Sequence, residues 1–223
     1  MNRSVQGIIF DMDNTLLQSH IDFKAMREEI YAFLRAHELI PPLPSIEEHT
    51  SSTLIQTAID TNNMTQALLQ ELWTIPAKHE YIGMRGAKLE PGVQALLEEL
   101  AGQLRLTIVT NNSQAAARLA LEENGIWSYF DWVVGREQMQ QMKPSPSGFL
   151  EVLSRFPGLP VSAWVSVGDA WIDGIASAAA GIPFIAYRGD SDLLHKKGVR
   201  PLANMTHIRE LKTYIQLDGN AAE

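Results

Sequence analysis

Short apolar runs recur along the chain, separated by stretches whose apolar positions repeat every three or four residues. The first run, Ile8-Ile9-Phe10, ends abruptly in Asp11-Met12-Asp13. That pattern predicts a buried strand delivering two carboxylates at its C-terminal edge, where open α/β sheets place their ligands. Residues 104–109, 131–134, 163–168 and 183–187 predict further strands, and helical periodicity covers 91–100, 113–123, 146–155 and 172–179 between them. A final helix is expected over 206–215. Alternating strands and helices call for a parallel sheet covered on both faces.

One block departs from this alternation. Between residues 21 and 39, Ile21, Phe23, Met26, Ile30, Phe33 and Leu34 keep a helical spacing, until Pro41-Pro42-Leu43-Pro44 stops the segment. Ser45 with Glu48 has the capping-box pattern and predicts a second helix through Leu54, Ile55 and Ile59. Leu68, Leu69, Leu72 and Trp73 predict a third, running towards Gly83, and no strand signal interrupts the block. The expected organisation is therefore a Rossmann-like, doubly wound α/β core from residues 1–17 and 84–217. An all-helical insertion occupies 18–83, and 218–223 form a flexible tail.

Composition narrows the function classes. With 45% apolar and 20% charged residues among 223, the chain has an ordinary globular make-up. A net charge of −8 disfavours nucleic acid or anionic lipid as a partner. The absence of cysteine excludes disulfides, thiolate nucleophiles and cysteine zinc sites. No apolar signal segment precedes the first strand, and the apolar stretch 176–187 is broken by Gly181-Ile182-Pro183. The expectation is a cytoplasmic protein with no membrane partner, a monomer or homodimer.

Three later strand ends and loops carry polar residues of distinct chemical use. Strand 104–109 leads into Thr110-Asn111-Asn112-Ser113, a hydroxyl and backbone N–H groups at a helix start, which suits an anionic oxygen. Met142-Lys143-Pro144 puts an ammonium on a loop, with Pro144 keeping Lys143 out of helical geometry. Strand 163–168 ends at Gly168-Asp169, with Asp173 four residues on. Singly, each has a plain structural use: a turn cap, an N-cap or a solvated turn. Gathered at one sheet edge, Asp11, Asp13, Asp169 and Asp173 would repel by several kcal/mol unless cations intervened. A hard divalent ion such as Mg2+, with Lys143, would balance them and leave a positive field for a phosphate.

Asp11-Met12-Asp13-Asn14-Thr15-Leu16, Thr110, Lys143-Pro144 and Gly168-Asp169 with Asp173 resemble motifs I to IV of the haloacid dehalogenase superfamily. The resemblance covers the core and implies Mg2+ and an aspartyl-phosphate intermediate. It makes Asp11 the nucleophile and Asp13 the general acid, then base. Thr110 and the N–H of Asn111 hold the phosphoryl oxygens, and Lys143 neutralises their charge. It implies Asp169 as the Mg2+ ligand, together with the Asp11 carboxylate and the Asp13 backbone carbonyl, and Asp173 in an outer role steering Lys143 or a metal-bound water. Roughly 96 residues separate Asp13 from Thr110, far more than one crossover needs. This is similar to members with a helical cap after motif I, as in phosphoglycolate phosphatases, where the cap closes over the site and reads the leaving group.

Asn14 stands where many members have Gly, and Ala170-Trp171 follows Asp169 where Ser or Thr is usual. Dehalogenases lack the second carboxylate of motif I, so Asp13 favours phosphoryl chemistry. No Lys lies between Lys24 and Lys78 to serve as the cap Schiff base of phosphonate-cleaving members. Alternatives are a β-phosphoglucomutase-type phosphosugar mutase and a catalytically silent binding protein. The favoured expectation is a Mg2+-dependent phosphatase for a small phosphorylated metabolite, phosphoglycolate-like or a sugar phosphate. His20, Lys24, Arg27 and Arg85 are candidate substrate contacts because they flank the expected cap hinges and carry positive or titratable character, although their plainer reading is as exposed helix and linker residues.

Overall fold

The structure, a computed structural model, describes residues 5–215. It forms two compact units: one runs to Ser19 and resumes at Ala87, and the other spans His20–Gly86. The tail expected at 218–223 lies outside the described residues.

Six strands build the sheet of the first unit: β1 (Gly7–Phe10), β4 (Arg105–Val109), β5 (Trp132–Val134), β6 (Trp164–Gly168), β7 (Phe184–Tyr187) and β8 (Asn204–Met205). Two more strands, β2 (Leu17–Gln18) and β3 (Lys88–Leu89), pair antiparallel beside it. The sheet order is β5-β4-β1-β6-β7-β8, and every neighbouring pair is parallel. From β1 the chain builds outward through β4 to β5, then returns to the other side of β1 as β6. Such a reversal opens a crevice at the carboxyl ends of the inner strands. All four residues of β1 are buried, as a central strand covered on both faces requires.

In the second unit, α1 (Phe23–Ala36), α2 (Ser51–Asp60) and α3 (Gln66–Met84) pack with α1 against both others. Met26, Ile30 and Leu34 form the buried stripe of α1, one residue per turn. Asp22 caps this helix by accepting from the Ala25 N–H at 2.8 Å. Lys78 and His79 of α3 both reach Glu29 of α1, at 2.6 and 2.8 Å.

The remaining helices of the first unit are α4 (Val93–Leu100), α5 (Gln114–Glu123), α6 (Ser147–Arg155), α7 (Trp171–Ala179) and α8 (Ser191–Lys196). Helix α6 packs on β4 and β5, and α7 on β6 and β7. Between them lies a core of Ile9, Val109, Val134, Phe149, Val152 and Trp164. Burying each such large side chain contributes about 1.5–3 kcal/mol, which makes the sheet edge above it a firm platform for the polar residues.

Local details differ from the expected elements. The second helix does not open at Ser45, whose hydroxyl donates to Glu47 at 2.7 Å. It opens at Ser51, because Thr50 and Thr53 exchange side chain-to-backbone bonds at 3.2 and 2.9 Å. The α-helix expected over 206–215 is a 3-10 helix, Ile208–Thr213. Its buried Ile208 and Leu211 stand three residues apart, the repeat of that tighter helix. Strand β8, helix α8 and the β2–β3 pair were absent from the expected elements; each is too short to show a period.

Candidate active site

The crevice at the ends of β1, β4 and β6 is organised by one buried ammonium. The Asp11 N–H donates to the Val167 carbonyl at 2.8 Å, continuing the sheet one residue past β1. Lys143 is 1% exposed. Its Nζ donates to Asp11 Oδ1 at 2.5 Å, to Asp173 Oδ1 at 2.6 Å and to the Val109 carbonyl at 2.8 Å. All three ammonium protons therefore have acceptors, on three different elements. Asp173, in the first turn of α7, also accepts from the Ala170 N–H through Oδ2 at 3.0 Å. Gly168 must be glycine for this packing, since a Cβ there would lie 2.6 Å from the Asp173 carboxyl carbon.

Asn111 fixes the backbone of Lys143. Its Nδ2 donates to the Lys143 carbonyl at 3.0 Å, and its Oδ1 accepts from the Lys143 N–H at 2.8 Å. One amide thereby ties the end of β4 to the lysine loop. The fully buried Thr110 hydroxyl accepts from the Asn112 N–H at 3.2 Å. The Asn112 side chain donates to Asp13 Oδ2 at 2.8 Å. Asn14 has φ +55°, a left-handed conformation that Gly and Asn tolerate best. Asn in place of the more usual Gly therefore leaves the turn intact.

Asp11, Asp169 and Asp173 each offer one carboxylate oxygen, and these lie within 4.8 Å of one another. Burial raises Asp11 to about 7; Lys143 pulls it down, and Asp173 and Asp13 push it up. Asp169 is also raised well above the usual carboxylate range, by burial and by Asp11 and Asp173. Burial works against the charge on Lys143, but Asp11 and Asp173 outweigh it and hold the amine above the ordinary lysine range. Three hard oxygen donors this close, with Asp11 and Asp169 pushed up by burial and by their charged neighbours, fit a hard divalent cation.

Of the residues singled out in the sequence, Asp11, Lys143, Asp169 and Asp173 meet at this edge, with Thr110, Asn111 and Asp13 joined to it by hydrogen bonds. The Asp13 carboxylate is not one of the three clustered acids. His20 and Arg85 belong to the helical unit. There the His20 N–H donates to the Gly83 carbonyl, and the Arg85 guanidinium lies 5.6 Å from the centre of the Tyr81 ring. Sequence reasoning missed Asn112 and the Val109 carbonyl. A second Asn after Thr110 was visible, but nothing in the sequence says that it reaches Asp13.

A family model described as haloacid dehalogenase-like hydrolase matches residues 8–187. The phosphoglycolate phosphatase of Neisseria meningitidis serogroup A is 28% identical over 235 aligned residues, covering 98% of this chain and 97% of its own. That of Pseudomonas syringae pv. syringae is 27% identical over 195, covering 80% and 68%. A HAD-hydrolase of Bacillus subtilis, solved bound to magnesium, shares the fold at TM-score 0.61 and 20% identity, covering 96% of this chain and 100% of that one. With the model spanning most of the sheet and every strand end that bears a site residue, the chain belongs to the haloacid dehalogenase-like hydrolase family.

Proposed function

We propose that the protein is a Mg2+-dependent phosphatase that hydrolyses a small phosphomonoester in the cytoplasm through a phosphorylated Asp11. The observation that carries this reading is Lys143, a buried ammonium held between Asp11 and Asp173 beside a cluster of oxygen donors. A buried, positively charged donor at a nucleophilic carboxylate suits a reaction whose transition state spreads negative charge over phosphoryl oxygens. Relatives named phosphoglycolate phosphatase support phosphoglycolate or a similar small phosphate as substrate.

In the first step a carboxylate oxygen of Asp11 bonds to phosphorus while the ester oxygen leaves, taking a proton from Asp13. The Asn112 amide holds the Asp13 carboxyl for that transfer. In the second step Asp13 takes a proton from water, whose oxygen bonds to phosphorus and releases Asp11. Thr110 and the Asn111 N–H bind the phosphoryl oxygens, and Asp173 and the Val109 carbonyl hold the Lys143 ammonium at the attacking Asp11, where its charge offsets theirs. Asp11, Asp169 and the Asp13 backbone carbonyl would hold Mg2+, which would supply positive charge to offset the anionic phosphoryl group and the crowded carboxylates. His20 and Arg85 are our candidates for contacts to the leaving group.

Phosphate-monoester hydrolysis is so slow without a catalyst that these groups together must supply on the order of 20 kcal/mol. The test is phosphate release from 2-phosphoglycolate, sugar phosphates, nucleoside monophosphates and pyrophosphate, with Mg2+ or EDTA. Metal-dependent release by the wild type, abolished in a folded Asp11→Asn variant, is the expected result. Silence across the panel from folded wild type that binds Mg2+, or full activity of Asp11→Asn, overturns the reading.

A further inference from the structure

We propose that Glu90 is a positioning residue, whose buried carboxylate latches the turn carrying Asp13 to the end of β7. The inference rests on the phosphatase reading for its kinetic consequence, but its structural half stands independently.

The path is continuous. Asp13 is bridged to Leu17, and the Asn14 N–H donates to the Leu17 carbonyl at 2.7 Å. The Leu16 and Leu17 N–H groups both donate to the Met12 carbonyl, so residues 12–17 close on themselves as one turn. This turn is then gripped from the second strand of the small pair. Leu17 pairs with Leu89, and the Glu90 N–H donates to the Leu16 carbonyl at 2.9 Å. The Glu90 side chain, 7% exposed, turns the other way. Its Oε2 accepts from the Tyr187 hydroxyl at 2.7 Å and from Arg188 Nη1 at 3.0 Å.

Tyr187 closes β7, two strands away from β1, and is fully buried. Arg188 follows in the left-handed region at φ +51°, which a non-glycine residue adopts at a cost of about 1–3 kcal/mol. That conformation is held from three sides. The Arg188 N–H donates to the Met205 carbonyl at 2.7 Å, its Nε to the Thr206 carbonyl at 3.1 Å, and its Nη1 to Glu90. Only the carboxylate is buried, since the Arg188 side chain is half exposed, and an apolar side chain would fill the Glu90 position without the cost of desolvating a charge. What the carboxylate adds is direction. It joins the outer half of the sheet to the one turn on which Asp13 must keep its place.

Asp13 works as an acid only when the leaving oxygen needs a proton. Misplacing it therefore slows a first turnover on 2-phosphoglycolate, whose alkoxide is a poor leaving group, far more than one on para-nitrophenyl phosphate. A merely structural role would slow both alike. The experiment pairs hydrogen exchange of metal-free protein with quenched-flow bursts of both substrates, for wild type, Glu90→Ala and Glu90→Gln. In Glu90→Ala, exchange at the Asn14, Leu16 and Leu17 amides should rise about tenfold or more, with Ile8–Phe10 and Leu106–Val109 unchanged. The 2-phosphoglycolate burst should slow roughly ten- to a hundredfold, within what a general acid contributes, and the aryl burst by less than about threefold. Glu90→Gln, which can still accept from Tyr187, should recover most of both effects.

Unchanged exchange in that turn, or equal slowing on both substrates, overturns the proposal. Should Glu90→Ala not fold, Tyr187→Phe, which removes one hydroxyl, is judged by the same criteria. A folded wild type silent on both substrates and on the wider panel refutes the phosphatase reading, and the exchange comparison then still decides whether Glu90 holds the turn; where another alkyl phosphate of the panel is turned over instead, it takes the place of 2-phosphoglycolate.

Discussion

Replacing Lys143 by Met removes one charge from the centre of the site while keeping a flexible side chain of similar length. The ammonium lies 2.5 and 2.6 Å from two carboxylate oxygens. At an effective dielectric near 20, Coulomb attraction at such distances is about 6 kcal/mol per contact. Most of that offsets the desolvation of the charges, and breaking a buried pair by removing one partner costs about 3–5 kcal/mol. Against a total domain stability of about 5–15 kcal/mol, that is a large fraction. The sign of the pH dependence follows from Asp11. Its carboxyl is already raised to about 7, and Lys143 is the neighbour that lowers it, so the variant holds it higher still. A carboxyl raised in the folded state binds more protons folded than unfolded, so folding is favoured as pH falls. The cost of Lys143→Met should therefore be larger at pH 7.5, above the wild-type Asp11 value, than at pH 5.5, where the carboxyl is protonated in both folded proteins. Urea unfolding in EDTA, followed by tryptophan fluorescence at both pH values, measures it. A cost below about 1 kcal/mol at pH 7.5, or one that grows on acidification, would refute the electrostatic account of the site.

Two further outcomes follow from the same geometry. Because Asp11 and Asp169 are both raised, metal-free wild type should lose stability as pH rises from about 4 to about 7, and Mg2+ should restore it at pH 7.5. At a hundred times its Kd the ion would add about 2.7 kcal/mol; thermal unfolding with and without Mg2+ reads this, and a melting temperature indifferent to Mg2+ at pH 7.5 argues against the cation site. Asn112→Ala removes the bond that holds the Asp13 carboxyl in place, so kcat should fall roughly ten- to a hundredfold, within what a general acid contributes, with KM little changed. A change confined to KM would show that Asn112 acts on substrate binding instead.

The strands of the core could be read because their apolar runs are long enough to show a pattern and end in abrupt polar clusters. Ile8-Ile9-Phe10 before Asp11 is legible for that reason, and the side-by-side placement of β1, β4 and β6 then brings Asp11, Thr110 and Asp169 to one edge. Two-residue strands such as β8 carry no period, and one Thr–Thr exchange at Thr50 overrode a better-looking Ser–Glu pattern five residues earlier.

Pairings across long sequence distances are the harder half. In the sequence, Lys143-Pro144 is an ordinary loop dipeptide; in the fold Lys143 is buried, because Asp11, 132 residues away, and Asp173, 30 residues away, supply its acceptors. Glu90 reads as one more charge before a helix, until Tyr187 and Arg188 arrive from 97 and 98 residues further on. Each motif states which chemical groups a strand end offers, and strand order states which groups meet. Whether a given polar side chain grips a ligand, another motif or a distant backbone depends on distances set by packing between segments. That is why Asn111 and Asn112, adjacent and chemically identical, hold different partners: one clips the Lys143 peptide and the other steadies Asp13.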